Sequence, residues 1–498
     1  MNDDSANLNT GARLVLLVGL ILVSATVFGQ NSLPVRLTVK ESALGDAVVP
    51  YFVSPDSRRV AHRDITAGGR ERMVLDGAAQ PEYDRIVLTK APVFSPDGSR
   101  MAYVAEKGGQ VLVLDGQESA PHTSIGSVVF SKNSRRVAYV VGDNGKYGVV
   151  CDGIPSSAYD AVGKPVFSPD GSRVAFIAKK ADQVILVADG RESPPSDKIP
   201  VFSFSDDNRR LAYVAVKGDR CRVVVDGQAG EEMEQLNSDP VFSPGGKREA
   251  HTGKIGGQFF AVVDGVKLGP YSGIGEPFFS PNGSKVAFII KGADNLHRVM
   301  TDGREGASYR GVGQPLVFSA DGSRLAFVAV REDGKWVVVV DSQEHDGLQG
   351  VGKVLLSPDG RRSMYSRAQN NRWQVVVDGQ PSPEYDALFD MFFSPDGKRT
   401  AWVARRAGKY IVVTDGIESP AYSQLGNATT AFSPDGKHLA YVAGEPGAHR
   451  VFVDNAASPE FIGTLTGSTL VWDSADSLHV LILRPPKIHR MEIKVEHP

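Results

Sequence analysis

Cysteine, strong net charge and long hydrophobic runs are all scarce in this sequence. Its 498 residues include only two cysteines, which excludes a disulfide-stapled fold and any cysteine-ligated zinc or iron–sulfur site. The formal net charge is −3, so the chain lacks the broad basic footprint of a nucleic-acid-binding protein. We therefore expect no nucleic acid among its partners.

Motifs that carry catalysis or bind cofactors are also missing. No serine has glycine both two residues before and two residues after it, as a nucleophile elbow requires. The glycine-rich turns match neither a phosphate-binding loop nor a dinucleotide fingerprint, and the ten histidines include no pair at metal-ligand spacing. The sequence therefore predicts no catalytic, metal-ligating or cofactor-binding residues, and no cofactor.

One hydrophobic run lies near the N-terminus. Residues 14–28 (LVLLVGLILVSATVF) follow Arg13 and have the length of a secretory signal core rather than of a membrane-spanning helix. Val27 and Gly29 precede a suitable cleavage point before Gln30, so we predict a signal peptide over residues 1–29. An uncleaved anchor is the alternative, and only through it would the chain contact a membrane. Either way, we expect a periplasmic or secreted protein.

A serine-centred turn recurs about every 38 residues along the rest of the chain. The segments between these turns are short and rich in Val, Phe, Tyr and Ile, without helical spacing. This period and composition predict β-propeller blades rather than helical repeats. The twelve turns are centred on Ser54, Ser95, Ser131, Ser168, Ser205, Ser243, Ser280, Ser319, Ser357, Ser394, Ser433 and Ser474.

A single repeat can be divided into four strands. Residues 165–167 form a first strand, and Ser-Pro-Asp-Gly at 168–171 supplies a tight turn. Residues 173–178 and 184–188 form the second and third strands, and the Asp-Gly turn at 189–190 leads into a fourth. Four antiparallel strands in about 38 residues make one propeller blade. The sequence therefore predicts an all-β chain of twelve four-stranded blades.

A large side chain usually follows seven residues after the aspartate of the second turn. Such a fixed position indicates packing between blades, and a ring of ligand-stacking aromatic residues is the alternative. The residues at this position are Tyr83, His122, Tyr159, Met233, Tyr271, Tyr309, Leu348, Tyr385, Tyr422 and Phe461.

The repeat resembles a known family. The pattern SPDG-x-R-x-A-Y-V-A, complete at 95–105, followed by V-V-V-D-G, complete at 223–227, is similar to the WD-like β-propeller repeat of the TolB type. The resemblance covers about residues 33–498 and implies a β-propeller throughout. It does not imply one activity, because propellers host unrelated functions.

The number and closure of the rings can also be predicted. Twelve blades exceed the four to eight of a usual propeller, so we expect two six-bladed rings, in residues 30–275 and 276–498. One twelve-bladed ring is the alternative, because no linker marks the boundary. The last repeat ends with a third strand at 488–495, and residues 35–40 alternate like a strand. We therefore expect both chain ends to pair and complete the last blade.

Basic side chains gather in the loops between second and third strands, whereas glutamates follow the Asp-Gly turns. In a propeller these two sets of turns emerge on opposite faces, so we expect the faces to differ in charge. Solvated turns that serve only solubility are the alternative. The glutamates are Glu118, Glu192, Glu231, Glu232, Glu344 and Glu418. The candidate partner-binding residues are Lys107, Lys179, Lys180, Lys217, Arg220, Arg331, Lys335, Arg367, Arg372, Arg405, Arg406 and Lys409.

These features favour a non-enzymatic, exported scaffold that binds a protein or a cell-envelope polymer through one propeller face. The alternative is an enzyme, a hydrolase or a lyase, with its site in the central channel. Single residues from several blades would build such a site, so no local motif would reveal it.

Overall fold

The computed structural model describes residues 21–23 and 35–497, except 48, 91 and 427–429. These residues form twelve antiparallel sheets, and a 3₁₀ turn at Leu88–Lys90 accompanies them. No helix in this part of the chain is long and apolar enough to span a membrane. The prediction of an all-β propeller of twelve blades is confirmed. Of the predicted signal peptide, only 21–23 falls within the described residues.

The two middle strands of each blade carry most of its buried residues, because valine, alanine and isoleucine occupy consecutive positions along them and neighbouring blades cover both faces. The second strands are Val60–Ile65, Met101–Glu106, Val137–Asp143, Val174–Lys180, Leu211–Lys217, Glu249–Ile255, Val286–Lys291, Leu325–Val330, Ser363–Gln369, Thr400–Arg406, Leu439–Glu445 and Ser477–Arg484. The third strands are Glu71–Leu75, Gln110–Leu114, Lys146–Cys151, Gln183–Ala188, Arg220–Val225, Gln258–Val263, His297–Thr301, Trp336–Val340, Arg372–Val377, Lys409–Thr414, Ala448–Val453 and Lys487–Glu496.

The first strands form the inner rim of the molecule. First strands of neighbouring blades lie close together, as Phe202–Phe204 and Gln235–Phe242 do, which places them around the central channel. Several are split into two short pieces. The other first strands are Tyr51–Val53, Arg85–Ile86 with Val93–Phe94, Ser124–Phe130, Ala161–Val162 with Val166–Phe167, Gly273–Ile274 with Phe278–Phe279, Gly311–Val312 with Val317–Phe318, Gly350–Leu356, Ala387–Phe393, Gln424–Leu425 with Ala431–Phe432, and Gly463–Thr464 with Val471–Trp472.

The fourth strands form the outer edge and are mostly two residues long. In blade 12 the fourth strand is Arg36–Asp46, and the backbone of Ile21–Val23 pairs with it. The fourth strands of blades 1–11 are Ala78–Tyr83, Gln117–Glu118, Ile154–Pro155, Arg191–Glu192, Gln228–Ala229, Val266–Tyr271, Arg304–Glu305, Gln343–Leu348, Gln380–Pro381, Ile417–Glu418 and Ala456–Ala457.

A buried serine organises the turn from first to second strand. The Ser168 hydroxyl donates a hydrogen bond to the Asp170 carboxylate at 2.8 Å and accepts one from the Arg173 backbone N–H at 3.0 Å. Gly171 has a φ of 76° and closes the turn, as glycine does without steric cost. The equivalent serines in the first eleven blades are at most 1% exposed. The predicted serine turns of blades 1–11 are therefore correct.

The twelfth turn differs from the prediction. Ser474 is exposed, and Asp473 takes the position of the buried serine. The backbone N–H of Asp473 donates to the carbonyl of Ser477 at 2.8 Å, so this turn is one residue shorter than the others. The spacing of serines alone could not reveal this shift.

The blades form one closed ring. A hydrophobic cluster joins each blade to the next, and Val263 of blade 6 and Phe288 of blade 7 share one of these clusters. Leu481 of blade 12 and Val60 of blade 1 share another, which closes the circle. The preferred expectation of two six-bladed rings is therefore wrong, and the twelve-bladed alternative holds. The reason is that blades 6 and 7 pack together as all other neighbours do.

Both chain ends complete blade 12, as predicted. Arg36–Asp46 pairs antiparallel with Lys487–Glu496, so that Leu37 lies opposite Val495 and Val39 opposite Ile493. Leu37 and Val39 are at most 3% exposed and pack against blade 11. The N-terminal strand thus covers an edge that would otherwise stay unpaired.

The large residues after the second turn pack between blades, as predicted. Tyr83, Tyr309 and Tyr385 are at most 2% exposed and belong to three different inter-blade clusters. The Tyr83 ring meets the Tyr103 ring of the next blade edge-to-face, with the centroids 6.1 Å apart.

Candidate functional site

The two faces of the ring carry different turns. Because successive strands run antiparallel, the turns at 168–171 and 189–190 emerge on one face, which we call the serine face. The loop at 181–182, between the second and third strands of the same blade, emerges on the other. We call that other face the lysine face. The twelve candidate partner-binding residues flank loops of the second kind.

Most of these candidate residues form ion pairs. Lys107 Nζ lies 3.0 Å from Glu118, and Lys180 Nζ lies 3.1 Å from Glu192. Arg367 donates to the Gln374 side-chain carbonyl at 3.1 Å. Further pairs join Arg220 with Glu232 and Glu234, Arg331 with Glu344, Lys335 with Asp333, Arg372 with Asp386, and Arg406 with Glu418.

A tyrosine of the preceding blade holds some of these pairs in place. Arg406 donates to both carboxylate oxygens of Glu418, at 2.8 and 2.7 Å. The Tyr385 hydroxyl donates a hydrogen bond to the same carboxylate at 2.9 Å. The centroid of the Tyr385 ring lies 4.9 Å from the Arg406 guanidinium carbon. Arg406 therefore packs between two blades.

The same arrangement recurs elsewhere in the ring. Tyr159 donates to Glu192 at 3.2 Å, while Lys180 pairs with that glutamate. Burial, with a neighbouring glutamate, raises the pKa of Tyr83, Tyr309 and Tyr385 to about 12. These tyrosines therefore stay protonated at neutral pH.

The predicted separation of basic and acidic side chains between the two faces does not hold for these ion pairs. Glu118 and Glu192 follow the opposite turns, but their carboxylates reach along the blade and meet the lysines. They can do so because the second strands of these two blades are only six and seven residues long. Four candidates remain exposed and form no ion pair with any residue that the structure describes. They are Lys179, Lys217, Arg405 and Lys409.

A second network on the serine face was missed by sequence reasoning. Arg173 Nε donates to the Asp189 carboxylate at 2.8 Å, and its guanidinium lies 5.0 Å from the ring centroid of Phe204 in the next blade. The sequence pattern that could have revealed this network is an arginine or lysine five residues after each of the first ten turn serines. The same contact, at 2.6–3.0 Å, is made by Arg59, Arg100, Arg136, Arg210, Arg248, Arg324, Arg362 and Arg399.

Hydrogen bonds within the serine turns lower the pKa of several turn aspartates, including Asp321, Asp396 and Asp435. Hydrogen bonds from Ser319 and Ser323 lower the pKa of Asp321 from 3.8 to about 2. The Ser433 hydroxyl is the largest cause of a similar shift at Asp435, whose pKa is about 2. These carboxylates serve the turns, and their geometry explains why ten of the first eleven turns place aspartate or asparagine there, with Gly245 as the exception.

A cavity of about 540 Å³ lies beside the closing blade. Leu37 and Val39 face blade 11, so the alternating Thr38 and Lys40 lie on the side of blade 12 that faces blade 1. Most of the lining residues are polar or charged, but apolar atoms make up most of the surface that they present to the cavity. The lining consists of Thr38, Lys40, Asp473, Ser474, Asp476, Ser477, Leu478, Glu492, Ile493 and Lys494.

Comparison with known proteins assigns the chain to no family. No family model and no curated protein matches the chain. A crystal structure of the eukaryotic initiation factor is 12% identical, with a TM-score of 0.33, and the match covers 65% of this chain and 96% of that one. TolB from Acinetobacter baumannii is 15% identical, with a TM-score of 0.23 and coverage of 52% and 80%. The β-propeller domain of the Trilobed protease from Pyrococcus furiosus is 13% identical, with a TM-score of 0.24 and coverage of 59% and 94%.

Proposed function

We propose that this chain is an exported, non-enzymatic, TolB-like propeller that binds an acidic protein or cell-envelope polymer through its lysine face. The observation that carries the proposal is the set of four exposed cations without ion-pair partners in the described chain, Lys179, Lys217, Arg405 and Lys409. A charge already held in an ion pair contributes little to the attraction of a partner, whereas none of these four is held in an ion pair with a described residue. Lys179 does lie close enough to the Asp160 carboxylate to help lower its pKa.

The closed ring gives these cations a defined arrangement. Lys179 and Lys217 belong to blades 4 and 5, and Arg405 and Lys409 belong to blade 10. Blades 4 and 10 are six apart in a ring of twelve, so the two groups lie on opposite sides of the central channel. A partner long enough to span the ring would contact both groups at once. This arrangement supports an extended polymer or a large protein surface.

Export is supported by the sequence alone. The apolar run at 14–28 has the length of a secretory signal core and is followed by small residues before Gln30. We propose that the mature protein acts in the periplasm or outside the cell.

The test is a pull-down from cell-envelope extract with the mature protein as bait. The captured partner is then titrated against a variant that reverses the four unpaired charges: Lys179→Glu, Lys217→Glu, Arg405→Glu and Lys409→Glu. The matched control makes the same total charge change at four exposed residues of the serine face for which the structure describes no ion pair: Arg135→Glu, Arg191→Glu, Arg209→Glu and Lys247→Glu.

The lysine-face variant should lose affinity while keeping its fold, since all four positions are exposed. Binding to the original protein should also slow as salt rises, because the screening length falls below about 8 Å beyond physiological ionic strength. Equal loss in both variants would show that only total charge matters. Loss in the control alone would move the binding surface to the serine face. Either result would contradict the proposal.

A further inference from the structure

The arginine network of the serine face is interrupted at blade 11. His438 stands five residues after Ser433, where nine of the first ten blades carry arginine and blade 7 carries Lys285. Its side chain is buried, with 4% exposure, and its Nδ1 lies 2.7 Å from the Asp454 carboxylate. The imidazole therefore keeps the contact that the arginines make within their own blade. Its ring stacks on the Trp472 ring of blade 12, with the centroids 6.3 Å apart.

The hydrogen-bond partner of His438 Nδ1 determines whether the other ring nitrogen, Nε2, is a donor or an acceptor. The Asp454 carboxylate also accepts the Leu439 backbone N–H at 3.0 Å, so it acts as an acceptor toward both groups. Neutral His438 then carries its proton on Nδ1 and a lone pair on Nε2. That Nε2 atom is buried and has no hydrogen-bond partner in the described structure. A buried polar atom without a partner is costly unless a ligand completes it.

Two further ligating side chains approach His438. Asp476 comes from the shortened turn of blade 12, and His497 follows the last strand. One ligand atom from each of the three residues lies within 4.8 Å of the others. His497 Nε2 is 3.8 Å from Asp476 Oδ1, and the two imidazole rings lie 5.1 Å apart at their centroids.

We propose that His438, Asp476 and His497 bind one divalent transition-metal ion, with zinc as the representative. Two imidazoles and one carboxylate suit zinc, whereas calcium and magnesium prefer all-oxygen sites. Asp454 orients His438 through Nδ1, as carboxylates do behind metal-bound histidines. The three residues are far apart in sequence, so no local motif indicates this site.

A metal ion at this position would connect two blades of the ring. His497 lies directly beyond Lys487–Glu496, which pairs with the N-terminal strand, whereas His438 belongs to the preceding blade. A shared ion ties the end of the chain to blade 11. Metal binding should therefore raise the thermal stability of the closed ring.

The experiment uses full-length protein without a histidine tag, stripped with a chelator and then dialysed. Zinc binding is measured by calorimetry, cobalt binding by its visible absorption, and stability by thermal unfolding with and without zinc. The variants are His438→Arg, which restores the residue of the repeat, and His497→Ala, which removes an exposed side chain. The matched control is His122→Ala, because His122 also pairs with an aspartate, Asp143, at 2.6 Å.

We expect one zinc ion per chain and a zinc-dependent rise in melting temperature. His438→Arg and His497→Ala should each weaken zinc binding by at least about 10-fold and abolish that rise, whereas His122→Ala should change neither. Two results would overturn the proposal. One is the absence of zinc binding in the original protein, and the other is unchanged binding in both ligand variants.

Discussion

Thr38 donates a hydrogen bond from its hydroxyl to the Glu496 carboxylate at 3.1 Å, across 458 residues of chain. The contact lies within the pairing of the N-terminal and C-terminal strands that completes blade 12. Because the ring is single, this seam is where both ends of the chain are held. Its stability should decide whether the whole ring stays closed.

The first prediction concerns this seam. Leu37 is 1% exposed and packs with residues of blades 11 and 12. Leu37→Ala should lower the free energy of unfolding by about 2–5 kcal/mol, through lost burial and the cavity it leaves. The measurement is urea unfolding followed by tryptophan fluorescence. Lys40→Ala, at a half-exposed position of the same strand, should change it by no more than about 0.5 kcal/mol. Equal effects of the two would contradict the observed register.

The second prediction separates strain from steric clash in two glycine turns. Gly171 and Gly190 have φ values of 76° and 77°. A Cβ on Gly171 would lie 2.8 Å from the Ser131 Cβ of the preceding blade, whereas a Cβ on Gly190 would meet no atom within 4 Å. Gly190→Ala should cost about 1 kcal/mol through strain alone, and Gly171→Ala should cost distinctly more. Paired thermal and urea unfolding of the two variants gives the comparison. A larger loss at Gly190 would mean that the turns are packed differently.

The third prediction concerns the arginines of the serine face. Arg173 joins Asp189 of its own blade to the Phe204 ring of the next. Arg173→Ala should destabilise the protein by about 1–3 kcal/mol, because it removes a charge-assisted hydrogen bond and a cation–π contact. Arg209→Ala, at an exposed arginine on the same face, should have little effect. If chemical unfolding finds the two alike, the arginines do not join the blades.

The fourth prediction is a pH dependence. The folded-state pKa of Asp321 is about 2, below its ordinary value of 3.8, so its contribution to stability is present above about pH 4. That contribution is lost as pH falls through about 2. Asn282 fills the same position in blade 7 and accepts the Ser280 hydroxyl at 2.7 Å, so asparagine fits the turn. Asp321→Asn should therefore be less stable than the original protein at neutral pH, and the difference should shrink as pH falls.

The measurement is the urea midpoint of both proteins at a series of pH values between about 7 and about 2. A difference that stays constant with pH would show that protonation of Asp321 does not account for it.

Local features of this fold were predictable from sequence. The Ser168-type turn, the Asp189-type turn and the packing of Tyr385 each depend on residues close together in the chain, where spacing carries the information. The pairing of 35–40 with 488–495 was predictable for another reason. The last repeat lacks one strand, and the other end of the chain carries an extra strand. Each therefore supplies what the other needs to form a complete blade.

Features set by side-chain reach and by ring geometry were not predictable. The number of rings depends on the angle between blades, which no single repeat encodes. The pairing of Lys107 with Glu118 depends on two long side chains meeting along one short blade. The approach of His438 to Asp476 and His497 depends on where the shortened turn and the chain end lie in three dimensions.

The single ring of twelve blades is tested most directly by electron cryomicroscopy of the purified full-length protein. Face views of individual particles count the blades and the central openings in one image. We predict one ring with twelve blades around one channel and a seam where the two chain ends pair. Two six-bladed rings side by side in each particle would contradict the account, and with it the placement of the four unpaired cations across one face.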